Sequence, residues 1–161
     1  MRTTDADGFV AYYAARYRAL RRTAYLLCGD WHEAEDLTQS AFVRLYLAWG
    51  RVRADSAHAY ARRVLVNEFL GRQRRRREQP VGALPDRPQP VTGSPDDRVD
   101  LSAALRAVPA QQRAVVVLRY WEDLSVEQTA ALLRVAPGTV KSQASRGLAA
   151  LREHVAPRPG R

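Results

Sequence analysis

An all-α chain, two small helical bundles joined by a flexible linker, is the fold the sequence predicts, and three observations carry it. Apolar residues recur at helical spacing through both ends of the 161-residue chain. No stretch shows the two-residue alternation of a half-buried strand. Between the ends, residues 79–97, "QPVGALPDRPQPVTGSPDD", hold five of the nine prolines and almost nothing large and apolar. Such a segment cannot offset its ordering entropy by burial. The divisions are therefore 1–78 for the first bundle, 79–97 for the linker and 98–157 for the second bundle.

In the first bundle, "FVAYYAARYRALRRTAYLLCG" puts Phe9, Val10, Tyr13, Tyr17, Leu20, Ala24 and Leu27 on one stripe, with Gly29 as a stop. Asp30 followed by Glu33 reads as a variant capping box opening the next helix. That helix, "EAEDLTQSAFVRLYLAWG", buries Leu37, Ala41, Leu45 and Ala48, with Phe42 and Trp49 beside them. Asp36, Gln39, Ser40 and Val43 fall on the opposite arc. After a loop, "GRVRADS", either Asp55 or Ser56 caps a third helix that packs Tyr60, Val64, Leu65 and Phe69 and ends in a run of arginines.

The second bundle starts with a short helix near residues 99–107. Pro109 suits the first turn of "PAQQRAVVVLRYWEDL". Ser125 caps "VEQTAALL", and a last helix follows Pro137.

The net charge is +9, and Lys141 is the only lysine among 26 cationic residues. An excess of this size points to a polyanion, nucleic acid before an anionic membrane surface. No apolar run approaches the roughly 18 residues that span a bilayer, and the chain opens without a basic-then-apolar leader. Cys28 is the sole cysteine, which excludes an internal disulfide and a multi-cysteine metal site. A cytoplasmic protein without membrane insertion is expected.

On "LRVAPGTVKSQASRGLAALR" a helical wheel places Val140, Ala144, Gly147, Leu148 and Leu151 inward. Ser142 and Ser145 lie opposite, with Thr139, Lys141 and Arg146 on the flanks. A helix, a tight turn and a second helix with short hydroxyls and cations is helix-turn-helix geometry. A major groove about 12 Å wide admits such a helix only if its leading side chains are short or reach base edges. A plain hairpin with a solvated face has the same spacing. The turn places Arg134 where a left-handed residue is expected, at a cost of about 1 kcal/mol for a non-glycine.

The third helix of the first bundle carries Arg62, Arg63, Asn67, Arg72 and the run Arg74–Arg77. Each phosphate neutralised by such a run releases counterions, giving salt-sensitive binding. Asn67 is a residue type that reads base edges. Tyr46, Trp49 and Tyr60 are candidates for stacking on an unpaired base, although at helical spacing they are more often core. The arc of Asp36, Gln39 and Ser40 is a poor DNA surface; it suits a protein partner or is simply a wet face. Catalysis has little support: His32, His58 and His154 are scattered, and no phosphate loop or metal motif is present.

Together these segments resemble a bacterial sigma factor of the extracytoplasmic-function group over nearly the whole chain. "AEDLTQSAFVRLYLAW" resembles region 2.2, "AYARRVLVNEFLGRQRRRR" regions 2.3 and 2.4, and the stretch from "LRAVPAQQR" to "LAALR" region 4, with "GTVKS" its most specific part. The resemblance implies a protein that binds core RNA polymerase, directs promoter-specific initiation and aids melting, without a cofactor. It implies contacts of Asp36, Gln39 and Ser40 with polymerase. Arg62, Arg63, Asn67, Arg72, Arg74 and Arg75 would go to the minus-10 element, and Thr139, Lys141, Ser142 and Arg146 to the minus-35 element. The loop "GRVRADS" would accept a flipped-out base. Anti-sigma proteins are usual partners in this family, but nothing in the sequence identifies one. The chain departs from the family at Val66 and Gln143, where arginine is common, and at Arg134 and Ala136, where glycine and serine are. The rivals are a stand-alone helix-turn-helix regulator and an RNA-binding basic protein.

Overall fold

The computed structural model describes residues 3–79 and 101–155. Among them are seven α-helices and no strand. Helix α1 (Thr3–Cys28) stops at Gly29, whose φ of 74° is the left-handed conformation that glycine takes without strain. Helix α2 (Trp31–Ala48) starts at Asp30, whose carboxylate accepts the His32 amide at 2.8 Å. The expected capping box does not close. Glu33 pairs instead with Arg76 at 2.8 Å, because a guanidinium is the stronger partner for a carboxylate than a neutral amide.

A single 3-10 turn (Ala54–Ser56) leads into α3 (Ala57–Glu78). Ser56 holds the N-cap position but does not cap with its hydroxyl. At φ −101° and ψ −3° it is already wound into the helix, whereas a capping residue is normally extended. Leu37, Ala41 and Leu45 of α2 and Ala61, Leu65 and Phe69 of α3 close over Leu20, Ala24 and Leu27 of α1. Phe42 anchors an aromatic fan, with Tyr13 at 4.6 Å and Phe9 at 6.4 Å between ring centroids. Val10 is 62% exposed, contrary to the expected stripe. It lies about 100° around the helix from Phe9, beyond the sector that is covered.

In the second bundle, α4 (Leu101–Arg106) precedes α5 (Ala110–Val116), a π-helical turn (Val117–Trp121), α6 (Val126–Leu133) and α7 (Pro137–Val155). Pro109 sits one residue before α5 as its extended N-cap, not inside the first turn. Ser125 and Gln128 close a full capping box on α6, at 3.0 and 2.9 Å. Val115, Ala130, Val140 and Ala144 form a small core between α5, α6 and α7.

The two bundles pack on each other, a closer arrangement than two units held by a tether alone. Leu105, Ala114, Val116, Val117, Leu118 and Leu124 belong to the same continuous core as α1, α2 and α3. Buried Arg113 crosses the seam. Its guanidinium donates to the Leu27 carbonyl at 2.5 Å and to the Val108 carbonyl at 3.0 Å, and lies 5.7 Å from the Phe69 ring centroid. An apolar stripe in a sequence does not state which neighbour covers it, so the closure was not legible from periodicity. Of the expected linker 79–97, all but Gln79 lies outside the described residues.

At Gly147, a Cβ would stand 2.7 Å from Val116 Cγ2 and 3.3 Å from the Gln112 carbonyl oxygen. Gly147→Ala is therefore expected to lower stability by about 1–2 kcal/mol despite alanine's better helix propensity, read as a lower urea midpoint.

Candidate nucleic-acid interface

The turn between α6 and α7 is built by backbone bonds and one left-handed residue. Arg134 adopts φ 57° and ψ 47°, the conformation its position calls for, and the Val135 amide returns to the Ala130 carbonyl at 3.1 Å. Val140, Ala144 and Gly147 seat α7 against the bundle. Lys141, Ser142, Ser145 and Arg146 are left exposed on its outer side, with Thr139 half-buried at their margin. This is a cationic, small-residue face at the N-terminal half of a helix.

A second cationic surface follows α3. Arg63, Asn67, Arg74 and Arg75 are exposed. Arg72 is half-buried and paired with Glu68 at 3.5 Å. Arg62 is drawn away from solvent: its Nε donates to Glu122 Oε2 at 3.0 Å, and the two side chains are 12% and 11% exposed. Val66, where the resemblance leads one to expect arginine, is wholly buried; valine there belongs to the core and not to the cationic face.

The loop 50–56 borders a cavity of about 530 Å³. Arg51, Arg53, Tyr60 and Arg63 line one wall; Leu124, Gln128, Ala131 and Leu132 of the second bundle form the other. Trp49 packs on Phe9 at 5.5 Å as part of the core, whereas Tyr46, 5.1 Å from Phe9, remains 43% exposed. Tyr60 borders this cavity, beneath the Arg63 guanidinium at 5.9 Å.

On α2, Asp36 and Gln39 are exposed and Ser40 half-buried. Gln39 Nε2 donates to the Tyr13 hydroxyl at 3.4 Å. Val43 and Leu47 continue this arc, Leu47 being 75% exposed. Sequence reasoning passed over Leu47, although its spacing of seven from Ser40 and four from Val43 was the available signal.

Glu122 was also missed. Thr23 donates its hydroxyl to one oxygen at 2.5 Å, Arg62 binds the other, and His58 Nε2 stands 3.7 Å away. Burial alone pushes this carboxyl up, but the polar contacts from His58 and Thr23 and the charge of Arg62 outweigh it and hold it at about 2. Cys28 is the opposite case: burial pushes the thiol up to about 12, and its Sγ donates to the Asp30 carbonyl, so it is no nucleophile. Among the described residues no cluster of His, Cys, Asp and Glu has metal-binding geometry, and no helix is long and apolar enough to cross a membrane.

Two expectations follow. Arg134→Gly removes the left-handed strain and should raise stability by about 0.5–1 kcal/mol, net of glycine's unfolded-state entropy, seen as a higher urea midpoint. Glu122 has a depressed carboxyl, so its contribution is full above its ordinary value of 4.5 and is lost as pH falls toward 2. The stability gap between wild type and Glu122→Gln should accordingly be constant from pH 7 to 5 and shrink below 4.5.

Residues 12–79 match the family model described as Sigma-70 region 2, and residues 98–151 match Sigma-70, region 4. The chain is 41% identical over 154 residues to the RNA polymerase sigma-E factor of Streptomyces coelicolor, covering 93% of this chain and 87% of that protein. It is 33% identical to the ECF RNA polymerase sigma factor SigM of Mycobacterium tuberculosis, covering 91% of this chain and 76% of the relative. Among solved structures it resembles the sigma factor RpoE of Bartonella quintana in complex with the anti-sigma factor NepR, at 29% identity and a TM-score of 0.71. That match covers 93% of this chain and 98% of the other, and so takes in both bundles. From its two matched regions and its curated relatives alike, the chain belongs to the RNA polymerase sigma factors of the ECF group.

Proposed function

We propose that this sigma factor reads a two-part promoter with its two cationic helices while α2 holds core RNA polymerase. The observation that carries this reading is the outer side of α7. Lys141, Ser142, Ser145 and Arg146 are presented together by a helix whose inner side, Val140, Ala144 and Gly147, is fixed in the bundle. Arginine can bind a guanine edge through two parallel bonds, and short hydroxyls let the helix approach the groove floor. With Thr139 at its margin, this face takes the minus-35 duplex. The helix N-terminus adds its positive dipole end toward phosphate.

The minus-10 element falls to α3. Arg63, Arg74 and Arg75 supply phosphate contacts, Arg72 and Arg62 add charge, and Asn67 supplies a base contact. The loop 50–56 and Tyr60 suit an extruded base, whose unstacking costs a few kcal/mol that the captured contacts must offset. This is the part the chain would take in melting. Asp36, Gln39 and Ser40, continued by Val43 and Leu47, form a polar-then-apolar strip, the composition of a protein-binding surface and not of a DNA surface.

Residues 1–78 and 98–157 are the working units on this reading, and linking them raises the effective concentration of each at its element. Synthesis stays with the polymerase, and the working compartment is the cytoplasm. An anti-sigma protein is a further partner of this reading, supported by the RpoE relative, which was captured with one.

Run-off transcription with purified core enzyme on a promoter library tests the proposal. Arg146→Ala should reduce initiation about ten-fold on a promoter with an intact minus-35 element, the loss of one base-edge contact. It should make little difference once that element is scrambled. Undiminished run-off on the intact promoter would remove α7 from promoter reading.

A further inference from the structure

We propose that the groove between the C-terminal half of α3 and the turn from α6 to α7 is a binding site for a small polyphosphate anion, with the guanidinium groups of Arg74, Arg77 and Arg134 as its cationic ligands.

The first argument is the composition of the walls. The groove has a volume of about 530 Å³, within the range of small-ligand sites. Arg74 and Arg77 line it from α3, and Arg134 lines it from the corner of the helix-turn-helix. Asn67, Gln73 and Gln111 add carboxamide N–H donors. No carboxylate is among the lining residues.

The second is unmatched charge. In the run of arginines that ends α3, Arg72 is paired with Glu68 and Arg76 with Glu33. Arg74, Arg77 and Arg134 take part in no ion pair among the described residues. A cleft lined by one sign of charge focuses the field and concentrates the opposite ion. Each guanidinium fork binds phosphate oxygens in pairs. A single phosphate offers too few oxygens to meet three forks from two walls; a chain of phosphates offers enough.

The third is the backbone of Arg134, at φ 57° and ψ 47°. Glycine takes this left-handed conformation without strain, and glycine is what the resemblance leads one to expect there. The chain carries a strained arginine instead, and its side chain lines the groove. Strain of this kind clusters at ligand clamps, and the guanidinium is what glycine could not supply.

Leu70 and Leu133 add apolar surface beside the cations, enough to receive a nucleoside. The anion is therefore an inorganic chain or a nucleoside polyphosphate, the shared chemistry being linked phosphates. Asn67 and Arg74 were given above to the minus-10 element, so promoter strand and anion would draw on the same two residues. In every other respect the site stands apart from the promoter reading.

Isothermal titration of the full chain with inorganic tripolyphosphate, in magnesium-free buffer at about 0.15 M salt, tests the site. Wild type should bind with a dissociation constant of about 10–100 μM, and orthophosphate at least about ten-fold more weakly. Arg134→Gly and Arg77→Ala should each lower tripolyphosphate affinity about ten-fold, the loss of one charge-assisted contact. Glycine relieves the strain at position 134, so a loss there cannot be put down to unfolding. Arg75→Ala removes the same charge from α3 outside the groove and should bind as wild type does. Equal losses in all three variants would reduce the effect to net charge and overturn the proposal; so would the absence of binding up to about 1 mM. Adenosine triphosphate bound more tightly than tripolyphosphate would make the ligand a nucleoside polyphosphate, and equal or weaker binding would make it the inorganic chain. Run-off by the Arg134→Gly holoenzyme should match wild type. A loss there as large as the loss of tripolyphosphate affinity would hand the groove to promoter DNA and overturn the proposal. Run-off by wild-type holoenzyme reports separately on the promoter reading.

Discussion

Leu20, Ala24 and Leu27 on α1 are buried from two sides at once, by α2 and α3 of their own bundle and by the helices of the other. Burial of that stripe is what the remaining features serve. Arg113 can sit in an apolar seam because Leu27 and Val108 offer it carbonyl oxygens and Phe69 offers a ring face. Glu122 can remain ionised at the same seam because Thr23, Arg62 and His58 surround it. Remove the apolar contact and both charges would return to water, since buried charges are retained only where they are paired or hydrogen-bonded.

The arginines divide into structural and exposed groups. Arg113 and Arg62 are structural in the packed chain, and Arg21 lies 4.4 Å over Trp31, which itself stacks on Tyr25 at 3.9 Å. Arg63, Arg74 and Arg75 on α3 and Lys141 and Arg146 on α7 are exposed, as are Arg16, Arg18 and Arg22 on α1, Arg44 on α2 and Arg51 and Arg53 in the loop between α2 and α3. Net charge alone does not separate the two groups. Burial does.

Local features were largely legible in the sequence. The wheel of α7 separated Val140, Ala144 and Gly147 from Lys141, Ser142, Ser145 and Arg146, as the structure has them. Ser125 capped as its type predicts, and Arg134 is left-handed because the tight turn leaves it no other conformation. What failed to show were interactions whose partners lie far away in sequence. Glu33 looked like a capping residue because nothing nearby announced Arg76, 43 positions on. Glu122 drew no notice because Thr23 and Arg62 lie 99 and 60 positions away. Val10 was misplaced for a related reason: periodicity gives an apolar stripe but not the width of the sector that a neighbour will cover.

The central claim is that the chain holds its two bundles on one continuous core. The distance between the bundles tests this most directly. Spin labels at Ala15→Cys on α1 and Ala149→Cys on α7, both exposed positions, in a Cys28→Ala background, would report it by pulsed dipolar spectroscopy. A single short, narrow distance in the free chain is the predicted result. A broad, long distribution would contradict it.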